Sequence, residues 1–396
     1  MKYILPKGFF AGGIHCGIKR FKKDLAIIYS KAGCRAVGIF TKNKIKAAPL
    51  IVSKAILKKG EPIRAVIINS GNANCCTGWY GARDSKRMID SVSRALNVRF
   101  NNVLVSSTGV IGKRLPIEII EDGIQELAGR LSEKGLLSAA YAILTTDRRV
   151  KIAVQKVIID KKEIILSGIV KGAGMIHPNM ATMLSFIMTD ANIDKDALKL
   201  ALKEASACSF NAISVDGDMS TNDTVLLLAN ALAGNRTIKR NTKEYDLFLK
   251  ALKYMCFKLA RDIVEDGEGA TKFVTVHVKN APSEKDAEKI ARAIANSCLV
   301  KTSIFGESPN WGRVASSVGQ SGANGIKPNK IEIYLDRVCM FKRGGFTQVS
   351  QEKKGKIYKR KTAEILVNLN AGSKEAKIWT CDLSKRYVEI NAHYLS

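Results

Sequence analysis

Short apolar runs alternate along this chain with segments whose apolar residues return every three or four positions. The runs at 25–29, 36–40, 65–69, 103–107 and 163–170 are rich in β-branched residues and read as strands, as do 273–278, 364–368 and 377–380. Helical spacing marks 84–97, where Met88, Ile89, Val92, Ala95 and Leu96 fall on one face. It recurs at 116–132, at 245–263, and at 194–207 behind Asp194 as a capping residue. A helix over 283–296 is expected to open a second domain. The stretch 342–358, dense in lysine and glycine, is expected to be an exposed hairpin or loop.

Composition narrows the classes. With 396 residues, 46% hydrophobic and 25% charged, the chain has material for a sizeable core and two domains. No apolar run approaches the ~18 residues of a membrane span. The N-terminal apolar stretch is broken by Pro6 and Lys7, so no signal segment is read and a cytoplasmic location is expected. The nine cysteines are odd in number and scattered, Cys75 and Cys76 are adjacent, and the four histidines do not cluster with them. Free thiols are expected, with neither a disulfide framework nor a zinc site. The net charge of +28 raises the prospect of a nucleic-acid binder. Its lysines, however, lie in small groups such as Lys19-Arg20-Phe21-Lys22-Lys23 spread over the whole chain, without a recognition motif. That pattern reads as a solvated surface with weak, non-specific affinity for polyanions, and no specific nucleic-acid partner is expected.

The chemistry concentrates at 171–192. The apolar run 163–170 leads into Lys171-Gly172-Ala173-Gly174, then Pro178-Asn179, then Met180-Ala181-Thr182-Met183-Leu184 and a further apolar run. A phosphate cradle is a poor fit, because His177 replaces the third glycine of a dinucleotide fingerprint, Pro178 follows at once, and no Gly-Lys-Ser/Thr is present. Two readings remain: a glycine-rich connection between core strands, or a threonine that becomes a new N-terminus when the Ala181–Thr182 bond breaks. In the second, the freed α-amine serves as base for the threonine's own hydroxyl. The local pattern permits both.

Other segments are equally two-sided. Asn69-Ser70-Gly71-Asn72-Ala73-Asn74 after a strand suits a turn or a site. Thr108-Gly109 after 103–107 reads as an ordinary connection, although amides at such a turn are also suited to an oxyanion. The acidic run from Asp216 to Asp223 invites a calcium loop, which fails because Thr221 stands at the sixth position and Leu227 at the twelfth. Glu268, between Gly267 and Gly269, reads as part of a solvated turn.

Taken together these strings resemble the ornithine acetyltransferase family, the glutamate N-acetyltransferases of the cyclic arginine pathway. The 180–184 string is similar to that family's self-cleavage site, cut between Ala and Thr. Asn69–Asn74, Thr108-Gly109, Thr145-Thr146-Asp147, the 215–224 segment, Gly306 to Arg313 with its Pro309-Asn310-Trp311-Gly312, and Tyr387 to Ala392 match further family strings in order, so the resemblance runs from Pro6 to Ser396. One departure is Arg148-Arg149-Val150, where the family commonly has threonine and proline before the lysine.

The resemblance implies an α/β fold of the self-cleaving N-terminal-nucleophile type, with a large layered α/β domain (1–279) and a smaller C-terminal α/β domain (280–396). Mature chains would be 1–181 and 182–396, assembled as a heterotetramer of two of each. It implies ping-pong acetyl transfer from N-acetylornithine to glutamate, with Thr182 as nucleophile and Thr108 and Gly109 as oxyanion hole. Thr145, Lys171, Thr182, Glu268, Asn391 and Ser396 are implied as substrate contacts, with no cofactor and no metal. Some members also use acetyl-CoA, and the residues here leave that open. An N-terminal-nucleophile aminopeptidase or amidohydrolase of the same fold, passing the acyl group to water, is the alternative.

Overall fold

The computed structural model describes residues 3–177 and 183–393. The described residues fold as two compact units, one within 1–211 and 218–263, the other of 212–217 and 264–393.

The first unit is built on an eight-stranded mixed sheet. Its strands are β1 (Phe9–Ile14), β2 (Leu25–Phe40), β3 (Ile63–Asn72), β4 (Val103–Val110), β5 (Lys151–Ile159), β6 (Lys162–Lys171), β7 (Leu184–Thr189) and β8 (Thr224–Ala229). The order is β4-β3-β2-β8-β7-β6-β5, with β1 paired to β2. The β3–β4 and β7–β8 pairs are parallel and the others antiparallel. The two runs expected as separate strands at 25–29 and 36–40 are one strand. Its first half pairs with β3 and its second with β8, with the register shift falling between Tyr29 and Cys34. A polar, glycine-containing middle hid the continuity.

β7 and β8 are buried at every position, so both faces of the sheet are covered there. Helices α1 (Ala48–Lys59), α2 (Gly78–Ala95), α3 (Ile117–Ala128) and α4 (Leu136–Ala142) pack over β1 to β4. The helix expected at 84–97 begins earlier, at Gly78. α5 (Lys195–Ala207) is capped by the Asp194 carboxylate, which accepts from the amides of Asp196 and Ala197. α6 (Lys243–Glu265) lays Met255 and Leu259 against Gly168 of β6.

In the second unit the sheet order is β12-β11-β10-β13-β9-β14. The strands are β9 (Phe273–Ala281), β10 (Glu332–Leu335), β11 (Val338–Lys342), β12 (Gly345–Phe346), β13 (Thr362–Asn368) and β14 (Lys374–Cys381). Here β10 and β13 alternate between buried and more exposed positions, so these strands bury one face. α7 (Glu284–Asn296) packs on that core through Ala287, Ile290, Ala291, Ile294 and Ala295, the spacing of a single helical stripe. Its cap is Ser283, whose hydroxyl accepts from Asp286 N. α8 (Cys298–Phe305) and α9 (Trp311–Gly319) follow. The 342–358 stretch holds the β11–β12 hairpin turn and also a short helix, α10 (Gln351–Lys356), capped by Ser350. α11 (Lys385–His393) ends the described chain. Among the described residues no helix is long and apolar enough to cross a membrane.

Candidate active site

The end of β4 is a tightly constrained piece of backbone. Gly109 pairs with Gly71 of β3 and has φ +130, a region L-residues rarely adopt. A Cβ there would sit 2.3 Å from the Gly71 carbonyl carbon and 2.5 Å from Asn72 N, so only glycine fits. Gly71 is itself at φ +98. The Asn69–Asn74 segment turns out to be the brace for this point. Asn69 Nδ2 donates to Asn72 O, Asn72 Nδ2 donates to Lys113 O and Arg114 O, and Asn74 N donates to Asn72 Oδ1. Asn222 Nδ2 joins the two strand ends by donating to Ala73 O at 2.7 Å and to Ser107 O at 2.8 Å.

Thr108 is thereby held beside Lys171, the last residue of β6. Lys171 Nζ lies 3.2 Å from Thr108 Oγ1, and both residues are buried. An ammonium only donates, so Thr108 Oγ1 accepts this bond and its own O–H is left to donate elsewhere. The countercharge is Asp147, the third residue of Thr145-Thr146-Asp147. Asp147 Oδ1 accepts from Lys151 Nζ at 2.6 Å and from Gly172 N at 2.7 Å, and Oδ2 accepts from Thr145 N at 3.0 Å. Both the Asp147 and Lys151 side chains have no exposed surface. Burial works against the Asp147 charge, but the Lys151 and Lys171 ammoniums and the Gly172 amide outweigh it and hold the carboxyl well below the usual range. One carboxylate thus fixes the Thr145 backbone, the start of β5 and the chain just after Lys171. Met175, in the loop that follows, has a positive φ of 56.

Within the 180–184 string, Met183 N donates to Asp223 Oδ1 at 3.0 Å. Asp223 is fully buried, which pushes its carboxyl well above the usual range against the Met183 amide, Lys171, Ser220 and Thr41. Ala181 and Thr182 lie outside the described residues, as does Ser396. Met183 follows Thr182 directly in the chain, so this bond to Asp223 fixes the first described amide after the expected nucleophile.

The remaining expected contacts belong to the C-terminal unit. Glu268 is not on a solvated turn: it is buried, and its Oε2 accepts from Asn391 Nδ2 at 2.8 Å. Asn391 Nδ2 also donates to Tyr387 O at 3.0 Å. Gly269, at φ +69, makes the placement possible, since a Cβ there would meet Tyr387 N at 2.5 Å. Ser384 Oγ donates to Gly269 O at 2.6 Å and fastens the start of α11 to the same turn.

Sequence reasoning missed Asp147 and Lys151 as a buried pair, Asn222 as a clamp and Lys19 as a neighbour of the site. Lys19 Nζ donates to Leu144 O at 2.5 Å, one residue before Thr145. The available signal was the acid in Thr145-Thr146-Asp147, since a buried carboxylate demands partners. Among 64 lysines and arginines the partner itself was not distinguishable.

A family model described as "ArgJ family" matches residues 10–396. The chain is 48% identical to the arginine biosynthesis bifunctional protein ArgJ of Caldanaerobacter subterraneus, covering 99% of this chain and 98% of that one. It is also 48% identical to the protein of the same description from Thermotoga neapolitana, with 99% of each covered. Among solved structures it is similar to the crystal structure of arginine biosynthesis bifunctional protein ArgJ from Bacillus halodurans, with 41% identity and a TM-score of 0.52. That match covers 54% of this chain and 100% of the other.

Proposed function

As the chain belongs to the ArgJ family, we propose that it is a glutamate N-acetyltransferase of arginine biosynthesis, moving acetyl from N-acetylornithine to glutamate through an acetyl-threonine at Thr182. The observation that carries the reading is the Lys171–Thr108 contact at the glycine-only end of β4. Its neutral hydroxyl has an uncommitted proton, backed by a buried cation, next to a backbone amide. That is the equipment an acyl-transfer oxyanion needs.

The precursor is cut between Ala181 and Thr182, giving chains 1–181 and 182–396 and a new α-amine at Thr182. An α-ammonium has a reference pKa of ~7.7–8, so a modest downward shift supplies a free base near neutral pH. The Thr182 hydroxyl attacks the acetyl carbonyl while the α-amine takes its proton. The tetrahedral oxyanion is held by the Thr108 hydroxyl and Gly109 amide. Collapse breaks the C–N bond, the α-ammonium returns the proton to the departing nitrogen, and ornithine leaves. Glutamate's amine then attacks the threonyl ester by the same steps in reverse. Lys171 supports the developing charge through Thr108, Thr145 presents the substrate-facing loop, and Glu268, Asn391 and Ser396 bind the amino-acid portion. Two chains of each kind in a cytoplasmic heterotetramer complete the reading.

The test is acetyl exchange between labelled N-acetylornithine and glutamate. Transfer to glutamate with little free acetate supports the proposal, whereas acetate as the main product assigns the protein to the hydrolytic alternative. Adding acetyl-CoA in place of N-acetylornithine decides whether a second donor is used.

A further inference from the structure

A second lysine stands at this site without an assigned task. The loop ahead of β2 is organised by Asp24, which is fully buried. Its carboxylate accepts from Cys16 N at 2.7 Å, Lys19 N at 2.9 Å, Gly17 N at 3.2 Å and His15 Nδ1 at 3.2 Å. Such a set of converging donors fixes the loop and sends the Lys19 side chain across Gly71, where Cγ lies 2.9 Å from the position a Cβ would take. The backbone of that same glycine abuts Gly109. Lys19 Nζ ends on Leu144 O at 2.5 Å and Lys23 O at 3.0 Å, which uses two of its three hydrogens.

Asp24 is taken up by the amides of its own loop and Asp147 accepts from Lys151 and the Gly172 amide, while the Lys19 ammonium rests on two carbonyl oxygens. Burial and repulsion from Lys171 and Lys22, against attraction from Asp24 and Asp147, push the Lys19 ammonium down to about 8. A partly buried ammonium with a hydrogen left to donate is stabilised by an anion that takes it.

We infer that Lys19 is a further substrate-binding residue, whose third N–H takes the α-carboxylate common to N-acetylornithine and glutamate. The inference rests on the acetyltransferase reading and divides the labour of the two lysines: Lys171 serves Thr108, and Lys19 serves the substrate's carboxylate. A carboxylate there completes the ammonium's hydrogen bonding.

The experiment compares two donors, N-acetylornithine and N-acetylputrescine, which is the same donor without its α-carboxylate, in the wild type, K19M and K19R. K19M is expected to lower kcat/KM for N-acetylornithine by roughly 10- to 100-fold, mostly through KM, the size of one charge-assisted hydrogen bond. With N-acetylputrescine the wild type and K19M should agree within about threefold, because the contact is already gone. K19R keeps the charge and should retain most of the preference for the carboxylate. If K19M fails to fold, K19Q carries the same comparison. A K19M that loses equally on both donors, or on neither, overturns the inference alone. A wild type that exchanges no acetyl overturns the acetyltransferase reading and this inference with it.

Discussion

Lys171 Nζ on β6 approaches Thr108 Oγ1 on β4 to 3.2 Å, although the two strands are not neighbours in the sheet. The direction of that bond decides what the threonine can do: it accepts from the lysine, which leaves its own hydrogen to donate, in the proposed mechanism to the reacting oxygen. Thr108→Val should therefore lower kcat by about 10²–10³, the value of one oxyanion donor, with KM little changed. Thr108→Ser should keep most of the rate. Steady-state kinetics on the three forms check this.

Gly109 should tolerate no side chain. At φ +130 even alanine carries a conformational cost of about 1–3 kcal/mol, before its Cβ meets the Gly71 carbonyl carbon at 2.3 Å. Gly112→Ala makes the control, since it has φ +79 but nothing within 4 Å. Thermal unfolding should show Gly109→Ala clearly less stable than Gly112→Ala, with loss of exchange activity in the first variant.

Asp147 gives the pH prediction. Its folded carboxyl is held well below the usual range, with Lys151 and Lys171 outweighing burial. The stability it contributes is therefore present above the unfolded value of ~3.9 and is lost only as pH falls through the lower folded value. Asp147→Asn removes the carboxylate that faces the buried Lys151 ammonium and should cost about 3–5 kcal/mol near neutral pH. The gap in unfolding midpoint between wild type and variant should narrow below pH ~4. Adding Lys151→Met should recover part of the lost stability without restoring the Thr145 and Gly172 contacts.

Glu268 separates binding from folding. In Glu268→Gln the remaining side-chain oxygen still accepts from Asn391 Nδ2, so stability should change by no more than about 0.5 kcal/mol. Loss of the charge should raise KM for the amino-acid substrate by roughly tenfold or more. Calorimetry beside kinetics distinguishes the two effects.

Strands such as β3, β6 and β9 were legible because apolar, β-branched runs bounded by polar turns leave few alternatives. Helix α5 was legible from its cap, Asp194, and α7 was expected over 283–296, where Ser283 proves to be the cap. What stayed hidden was whatever depends on pairing across distance. β2 pairs with β1, β3 and β8 and shifts register once against β3, and its sequence shows only two apolar ends. Glu268 looked solvated because its cover, Asn391 and the start of α11, lies more than 100 residues away. The site's motifs were readable as strings, but which lysine meets which acid is a property of the folded sheet.

The most direct measurement is the intact mass of the purified protein beside a Thr182→Ala variant. The wild type should yield two chains, the second beginning at Thr182, whose masses sum to the precursor plus water, while the variant stays whole. A wild type that remains uncut and still transfers acetyl from N-acetylornithine to glutamate would contradict it.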